Sequence, residues 1–249
     1  MPEKLREIEF MQSNKEVKME KRETRISRNF LKYPAGSVLI ETGNTKVICA
    51  VAIEETVPPF IKSTEQGWLT AEYSMMPGSS KPRARREVNK GKVSGRTAEI
   101  QRLIGRSLRA VVDLKKIPGY TIKIDCDVMQ ADGGTRTASI TGACVALYDA
   151  FNFMLKEKMI KEFPLKYLVA AISVGLIDDE YILDLDYEKD FQAQVDLNVV
   201  MLETGELVEI QGTAEGKTFS REQLNKMLDL AETGIQNLVE SQKEALETR

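Results

Sequence analysis

The chain has 249 residues and a formal net charge of −3, with 42% hydrophobic and 29% charged residues. This length accommodates one large domain or two small ones, and the composition is typical of a soluble globular protein. No apolar run is long enough to span a membrane and the first thirty residues are densely charged, so we expect neither secretion nor membrane insertion.

The residue types that are missing or rare exclude several kinds of chemistry. The chain contains no histidine, which excludes every mechanism that needs an imidazole base or ligand, including Ser-His and Cys-His nucleophile pairs. Cys49, Cys126 and Cys144 lie far apart in apolar patterns without Cys-x-x-Cys spacing. We therefore expect small buried side chains in a reducing compartment, the cytoplasm, and no zinc site.

The N-terminal part of the chain is predicted to be an extension followed by strands. Residues 1–22 alternate acidic and basic side chains, and their scattered apolar residues could form a short helix. Strands are predicted at residues 24–32 and 68–76, and a hairpin at residues 37–53 turns at Gly43-Asn44.

A basic loop is predicted at residues 79–93, which are polar and lack apolar periodicity. Between residues 81 and 96, seven basic residues are opposed only by Glu87. Such a local patch suits the binding of a phosphate backbone, whatever the net charge of the whole chain.

The basic loop leads into an amphipathic helix that is predicted to begin near Thr97, after Ser94 and Gly95, and to end before Pro118. Arg96 would then lie in the first turn, beside free backbone N–H groups. Three arginines further along the polar side are expected to form a solvated face: Arg102, Arg106 and Arg109.

Residues 122–147 alternate apolar and polar side chains, break at Asp-Gly-Gly (132–134), and continue with small apolar residues at helical spacing. The pattern predicts a strand, a tight turn and a helix that runs to about residue 158. Free N–H groups at the start of such a helix form a ready site for an anion.

The side chains after the turn strengthen this interpretation. Thr135 and Ser139 offer hydroxyl groups, and the guanidinium of Arg136 matches phosphate geometry. Asp132 would repel an anion unless its side chain turns away to cap the helix. On spacing alone, a purely structural turn with a surface arginine is equally possible.

After Pro164 the pattern of strands and a long helix restarts. Strands are predicted at residues 167–175, 181–185, 194–202 and 207–211, and Ser220 with Gln223 forms a capping box for the last helix. Each half thus contains hairpins followed by a long helix. We predict an α+β or α/β sandwich of two similar halves, residues 23–158 and 159–249.

Five carboxylates crowd the end of one predicted strand and the start of the next: Asp184, Asp186, Glu188, Asp190 and Asp196. Convergent carboxylates are ligands for Mg²⁺, which needs only one or two of them beside substrate phosphates. A solvated acidic loop is the alternative, since runs of charge usually face water.

Three long segments closely resemble the bacterial ribonuclease PH family of phosphate-dependent exoribonucleases, which trim the 3′ ends of transfer RNA precursors. The segments are residues 95–109 (GRTAEIQRLIGRSLR), 125–147 (DCDVMQADGGTRTASITGACVAL) and 208–216 (VEIQGTAEG). The resemblance extends from about residue 24 to the C-terminus. It implies the ribonuclease PH fold, a two-part α+β arrangement, and a ring-shaped homohexamer built as a trimer of dimers.

The resemblance also implies roles for individual residues: binding inorganic phosphate, holding a divalent metal at a pair of active-site aspartates, and gripping RNA. The implied residues are Arg96, Gly134, Thr135 and Arg136 for phosphate, Asp190 and Asp196 for catalysis and for Mg²⁺ or Mn²⁺, and Arg83 and Arg86 for RNA.

The implied activity is that of a tRNA nucleotidyltransferase, in which inorganic phosphate reversibly releases terminal nucleotides of tRNA precursors and other 3′-tailed RNA as nucleoside diphosphates. Phosphate is largely dianionic at neutral pH and needs alignment more than a strong base, which suits a chain without histidine. The rival from another class is a non-catalytic RNA-binding ring subunit of an exosome-like assembly. A hydrolytic nuclease would leave the phosphate loop unexplained.

Overall fold

The computed structural model describes residues 21–61, 65–87, 91–215 and 218–248. Of the predicted N-terminal extension, only Lys21 and Arg22 are among the described residues, so the short helix predicted there lies outside them. Lys90 of the basic loop lies outside them as well.

Five strands form the first sheet: β1 (Thr24–Arg28), β2 (Gly36–Thr42), β3 (Thr45–Glu54), β4 (Trp68–Met75) and β5 (Thr121–Gln130). Their order is β1-β2-β3-β5-β4, antiparallel except for the parallel pair β4 and β5. The hairpin predicted at Gly43 is confirmed. The strand predicted at residues 24–32 is too long, because Asn29 has a φ of +54° and breaks the extended backbone after Arg28.

Four antiparallel strands form the second sheet: β6 (Val169–Ile177), β7 (Glu180–Leu183), β8 (Val195–Leu202) and β9 (Leu207–Ala214). Their order is β7-β6-β8-β9. Asp178 and Asp179 form the tight turn between β6 and β7 with φ values of +48° and +65°. Aspartate tolerates this left-handed conformation better than most residues, and the turn falls between the strands predicted at residues 167–175 and 181–185.

The helices are α1 (Gly95–Val111), α2 (Thr135–Lys156), α3 (Tyr187–Gln192) and α4 (Arg221–Glu247), with a short 3-10 helix at Leu114–Lys116. The capping box of Ser220 and Gln223 at α4 is confirmed, and the Ser94 hydroxyl caps α1. Helix α3 was not predicted: it has six residues and none of them is buried, so its sequence carries no apolar period.

Helix α2 lies between the two sheets and is buried on nearly all sides, in one continuous core shared by both halves. Contrary to the expectation from the sequence, α2 is long and apolar enough to cross a membrane by composition alone. However, 78% of its most apolar 18-residue stretch is buried inside the protein. A helix that is apolar all round is typical of a core element covered on both sides. Helix α1 covers β4, and α4 covers β6.

Candidate active site

A cavity of about 500 Å³ lies at the N-terminal end of α2, where the two halves meet. Six of the eight residues that the sequence singled out line it together: Arg96, Gly134, Thr135, Arg136, Asp190 and Asp196. A second cavity of about 560 Å³ shares Arg96, Arg136 and Asp196 with the first. Residues that are far apart in the sequence therefore face one continuous polar cleft.

The glycine turn, residues 132–134, brings the backbone of α2 to the cavity without intervening side chains. Gly133 and Gly134 have φ values of +72° and +63°, a left-handed conformation that glycine adopts without strain. Gly134 is the N-cap residue of α2, and no side chain caps the helix. The first N–H groups of α2 therefore remain available as hydrogen-bond donors to an anion.

Asp132 does not line the cavity, and it does not cap the helix either. Its carboxylate turns aside and accepts a hydrogen bond from Nδ2 of Asn44 at 3.0 Å. Its backbone N–H donates to the hydroxyl of Thr45, which in turn donates to the carbonyl of Gly133. The β2–β3 hairpin thus holds the turn in place and pairs the Asp132 carboxylate with an amide.

The two hydroxyl groups proposed from the sequence have different fates. Ser139 is fully buried and donates to the carbonyl of Thr135 at 2.7 Å, as serine does inside a helix. The prediction that its hydroxyl donates a hydrogen bond to an anion is therefore wrong. Thr135 lines the cavity, and its Oγ1 lies 2.8 Å from the phenol oxygen of Tyr73 on β4.

Tyr73 gave no functional signal in the sequence because it follows the ordinary alternation of a strand. Burial raises its pKa, while the hydrogen bond to Thr135 and the charges of Arg96 and Arg136 oppose this rise. The phenol therefore keeps its proton at neutral pH and can donate it to Thr135. The Thr135 hydroxyl is then free to donate its own proton into the cavity.

Arg136 is held across the junction between the halves. Its Nη1 lies 3.1 Å from Oε1 of Gln211 on β9 and 3.4 Å from Oε1 of Glu99 on α1, and its side chain is only 17% exposed. Gln211 also donates to Glu209, which forms an ion pair with Arg106 at 3.2 Å. The sequence assigned no role to Gln211, because its partner lies 75 residues away.

Arg96 is exposed at the first turn of α1 and lines both cavities. Among the described residues, no hydrogen bond or ion pair occupies its guanidinium. Desolvation raises the pKa of both Asp190 and Tyr73, and the positive charge of Arg96 opposes this rise. Arg96 and Arg136 thus offer two guanidinium groups to one space, one of them fixed and one exposed to solvent.

Asp190 on α3 and Asp196 on β8 form the carboxylate pair of the cavity. Partial desolvation at the cavity wall raises the pKa of both, and the charge of Asp190 raises that of Asp196 further, while Arg136 lowers both. No group of three potential metal ligands occurs among the described residues, although Glu215 also lines the cavity and its charge raises the pKa of both aspartates. A pair of repelling carboxylates with open space beside it fits Mg²⁺ or Mn²⁺, since Mg²⁺ takes one or two carboxylates and keeps several waters.

The other three carboxylates of the predicted cluster do not face the cavity, so the five do not converge. Asp184 is buried in an ion pair with Arg22 at 2.6 Å. Asp186 caps α3 by accepting from the backbone of Lys189, and Glu188 is exposed on that helix. Asp184 and Asp186 thus have structural partners and Glu188 faces solvent, in line with the alternative interpretation of these carboxylates as an acidic loop.

The basic loop reaches the cavity, but not through the two arginines that the resemblance assigns to RNA. Ser80, Lys81 and Pro82 line it, whereas Arg83 and Arg86 are exposed and do not. The solvated face expected on α1 is also only partly present. Arg102 is exposed, but Arg106 pairs with Glu209, and Arg109 lies 4.9 Å from the ring centre of Trp68 while it donates to the carbonyl of Leu69.

Comparison with solved structures supports the fold. The chain resembles rice (Oryza sativa) Rrp46 with a TM-score of 0.75 at 19% identity, over 94% of this chain and 100% of that one. It resembles an Archaeoglobus fulgidus exosome with RNA bound to the active site (TM-score 0.76, 19% identity, 94% of each chain) and an archaeal exosome core (0.72, 19%, 95% and 94%). The predicted α+β fold of sheets and packed helices is confirmed.

The sequence also matches two family models that together cover most of the chain. Residues 20–151 match domain 1 of the RNase PH 3′ exoribonuclease family, and residues 167–234 match domain 2. The cavity lies where these two matched regions meet, since Arg136 belongs to the first and Asp190 and Asp196 to the second. The chain therefore belongs to the 3′ exoribonuclease family of ribonuclease PH proteins.

Proposed function

We propose that this protein is a phosphate-dependent 3′-to-5′ exoribonuclease that shortens tRNA precursors and releases nucleoside diphosphates. One observation carries the proposal: two arginines, an uncapped helix N-terminus and two carboxylates line the same cavity. Cationic donors suit inorganic phosphate, and carboxylates suit a divalent cation beside RNA phosphates. A hydrolase would have no use for the phosphate-binding half of this arrangement.

In this proposal, Arg136 and the N–H groups after Gly134 bind inorganic phosphate, and the hydroxyl of Thr135 adds a donor. Arg96 closes the site from α1. An oxygen of the bound phosphate attacks the terminal phosphodiester, and the bond to the 3′ oxygen of the preceding nucleotide breaks. That oxygen leaves with the proton of the hydrogen phosphate, so the products are a nucleoside diphosphate and an RNA shorter by one nucleotide.

Alignment is the main contribution of the protein residues, because phosphate dianion is already a competent nucleophile. Holding two reactants in line can contribute about 7–11 kcal/mol to lowering the barrier. Asp190 and Asp196 would hold Mg²⁺ or Mn²⁺, which supplies positive charge to offset the charge on the scissile group and the leaving oxygen. Because one phosphate linkage replaces another, excess nucleoside diphosphate should drive the reaction backwards.

The RNA partner is proposed to be single-stranded at its 3′ end, because the terminal nucleotide must enter the cavity. Lys81 on the cavity wall, with exposed Arg83 and Arg86 further along the same loop, offers positive charge to the RNA backbone. Backbone contacts carry no base information, so sequence preference should be weak. We further propose that the chain assembles into a homohexameric ring.

A second candidate function is a non-catalytic RNA-binding ring subunit. Its support is the likeness to the Archaeoglobus fulgidus exosome and to the archaeal exosome core, beside the likeness to rice Rrp46. Such a subunit would not need a phosphate site, yet Arg96, Arg136, Asp190 and Asp196 are all present around one cavity. This arrangement favours the enzyme.

The test is incubation of the purified protein with a 3′-tailed RNA and Mg²⁺, with and without inorganic phosphate, followed by separation of nucleoside mono- and diphosphates. The enzyme proposal predicts diphosphates that form only with phosphate. Monophosphates in both samples would indicate a hydrolase, and RNA binding without product would support the ring subunit.

A further inference from the structure

Arg22 connects the two sides of the cleft through contacts with the glycine turn and with Asp184. It precedes β1, and its guanidinium donates from Nε and Nη2 to the carboxylate of Asp184 at 3.0 and 2.6 Å. Its backbone N–H donates to the same carboxylate at 3.0 Å. The two side chains are only 14% and 5% exposed, so this is a buried and fully engaged ion pair.

The same guanidinium also binds two backbone carbonyls that belong to opposite sides of the cleft. Nη1 donates to the carbonyl of Asp132, the first residue of the glycine turn, at 2.5 Å. Nη2 donates to the carbonyl of Leu185 at 3.2 Å. Leu185 belongs to the carboxylate segment, residues 184–190, which runs into α3 and carries Asp190 to the cavity.

The glycine turn and the carboxylate segment are in direct contact at this point. A Cβ atom on Gly133 would lie 2.4 Å from the carbonyl oxygen of Leu185 and 2.6 Å from the carbonyl carbon of Asp186. A Cβ atom on Gly134 would lie 2.9 Å from Nη2 of Arg22. The two backbones can approach this closely because residue 133 is glycine, and the Arg22 side chain packs against Gly134.

Asp184 is fixed on the other side of the pair. It has a φ of +59°, and its backbone N–H donates to the carbonyl of Ser173 on β6 at 2.8 Å. The carboxylate is therefore anchored to the second sheet, while the arginine is anchored to the edge of the first. Replacing a buried ion pair with apolar residues is often neutral for stability, so stability alone is a weak reason for this arrangement.

We propose that Arg22 is a positioning residue, which sets the distance between the phosphate-binding glycine turn and the segment that carries Asp190. The proposal rests on the proposed function, because it concerns alignment of phosphate with the carboxylate pair. Alignment is sensitive to small displacements: a shift of about 1 Å can cost about a hundredfold in rate. Arg22 belongs to the stretch assigned from the sequence to the N-terminal extension, and no motif marked it.

Two variants test the proposal, so that the test still stands if one of them fails to fold. Arg22→Lys keeps the positive charge but loses the planar fork that reaches the Asp184 carboxylate and both carbonyls at once. The double variant Arg22→Met/Asp184→Asn removes both charges together, so neither is left buried and unpaired, and asparagine tolerates the left-handed backbone at residue 184.

The chain contains a matched control pair. Arg28 at the other end of β1 binds Asp149 on α2 at 2.5 Å, with side chains 19% and 7% exposed, and donates to the carbonyls of Ala245, Leu246 and Thr248. Asp149 lies fourteen residues after Thr135 on the same helix, about 21 Å further along at the usual rise. The control variants are Arg28→Lys and Arg28→Met/Asp149→Asn.

For each variant, the affinity for inorganic phosphate is measured by calorimetry, and kcat/KM for phosphate by steady-state kinetics, with Tm alongside. We expect both Arg22 variants to weaken phosphate binding and to lower kcat/KM for phosphate by about ten- to a hundredfold. The Arg28 variants should change Tm by about as much as the matching Arg22 variants do, and they should leave both phosphate constants unchanged.

Unchanged phosphate constants in the Arg22 variants would overturn the proposal, as would an equal change in the Arg28 variants. Calorimetry keeps the test separate from catalysis. If the wild-type protein binds phosphate but forms no nucleoside diphosphate, the proposed function fails, and the phosphate affinities of the variants still decide the role of Arg22. A wild-type protein that binds no phosphate would overturn both.

Discussion

Nη1 of Arg136, on the first helical turn after the glycine turn, lies 3.1 Å from Oε1 of Gln211 on the second sheet. This contact joins the two halves within the cleft and fixes the guanidinium that the proposal assigns to phosphate. Gln211 is itself oriented by its hydrogen bond to Glu209. An exposed arginine would sample many rotamers, whereas this one is already held in place.

Gln211→Leu should therefore raise KM for inorganic phosphate by about tenfold, since hydrogen bonds to charged groups contribute about 1.5–3 kcal/mol. Gln211→Glu should have a larger effect, because a carboxylate 3 Å from Arg136 would pair with it and compete with phosphate. Steady-state kinetics at saturating RNA provide the measurement. An unchanged KM in Gln211→Glu would show that Arg136 does not bind phosphate from this position.

Arg136→Ala should remove dependence on phosphate more than it weakens RNA binding. Loss of one preorganised donor to developing charge typically costs a hundredfold or more in rate, so kcat/KM for phosphate should fall by about that factor. The dissociation constant for RNA should change only slightly. Arg102→Ala, at an exposed arginine of α1, is the control and should change neither value. Equal losses of phosphate and RNA binding in Arg136→Ala would contradict the assignment.

Neutralising the carboxylate pair, Asp190 and Asp196, should raise the free energy of unfolding. Partial desolvation, and for Asp196 also the charge of Asp190, raises the pKa of each carboxyl group above its ordinary value, so the folded state binds these protons more tightly than the unfolded state. At neutral pH both groups are ionised and disfavour folding. This cost disappears as pH falls through the raised folded pKa values toward the ordinary value.

Asp190→Asn/Asp196→Asn should accordingly raise Tm at pH 7 in the absence of divalent cations, and the difference should shrink as pH is lowered to about 4. A chain of this length gains about 2–4 °C for each kcal/mol of stability. The same variant should lose phosphorolysis. Thermal denaturation across this pH range provides the check, and a double variant less stable than wild type at pH 7 would contradict the prediction.

Tyr187 should contribute to RNA binding through stacking. It is 61% exposed, lines the cavity from α3 and belongs to the same helix as Asp190. Tyr187→Ala should raise KM for RNA by about tenfold, because stacking of a base on an aromatic ring contributes about 1–3 kcal/mol, and Tyr187→Phe should retain wild-type KM. Phe191, on the same helix and 83% exposed, does not line the cavity. Phe191→Ala is thus the control, and equal effects of both alanine variants would argue against stacking.

The parts of the fold that depend on local chemistry were predictable. Gly43, the Asp178-Asp179 turn and the capping box at Ser220 each act within a few residues, and the structure places turns and helix starts there. Periodicity found the long helices because each has at least one buried face. Helix α3 has no buried residue, so no apolar period in the sequence predicted it.

The candidate site was only partly predictable, because its contacts are long-range. The glycine turn was visible in the sequence, but the hydroxyl of Ser139 turns back to its own helix, which spacing alone does not reveal. Arg22 and Asp184 are 162 residues apart, and the sequence assigned Arg22 to the N-terminal extension and Asp184 to the acidic cluster, so nothing paired them. Gln211 acquires its partner Arg136 only when the two halves pack together, and Tyr73 meets Thr135 only when residues 62 apart within the first half come together.

The most direct test of the central claim is to follow isotopically labelled inorganic phosphate during degradation of an unlabelled 3′-tailed RNA. If phosphate is the nucleophile, the label must appear in the terminal phosphoryl group of the nucleoside diphosphate, one per nucleotide released, and Arg136→Ala must lose this incorporation. Degradation of the RNA without label in the released nucleotides would contradict phosphorolysis and the assignment of the cleft as a phosphate site.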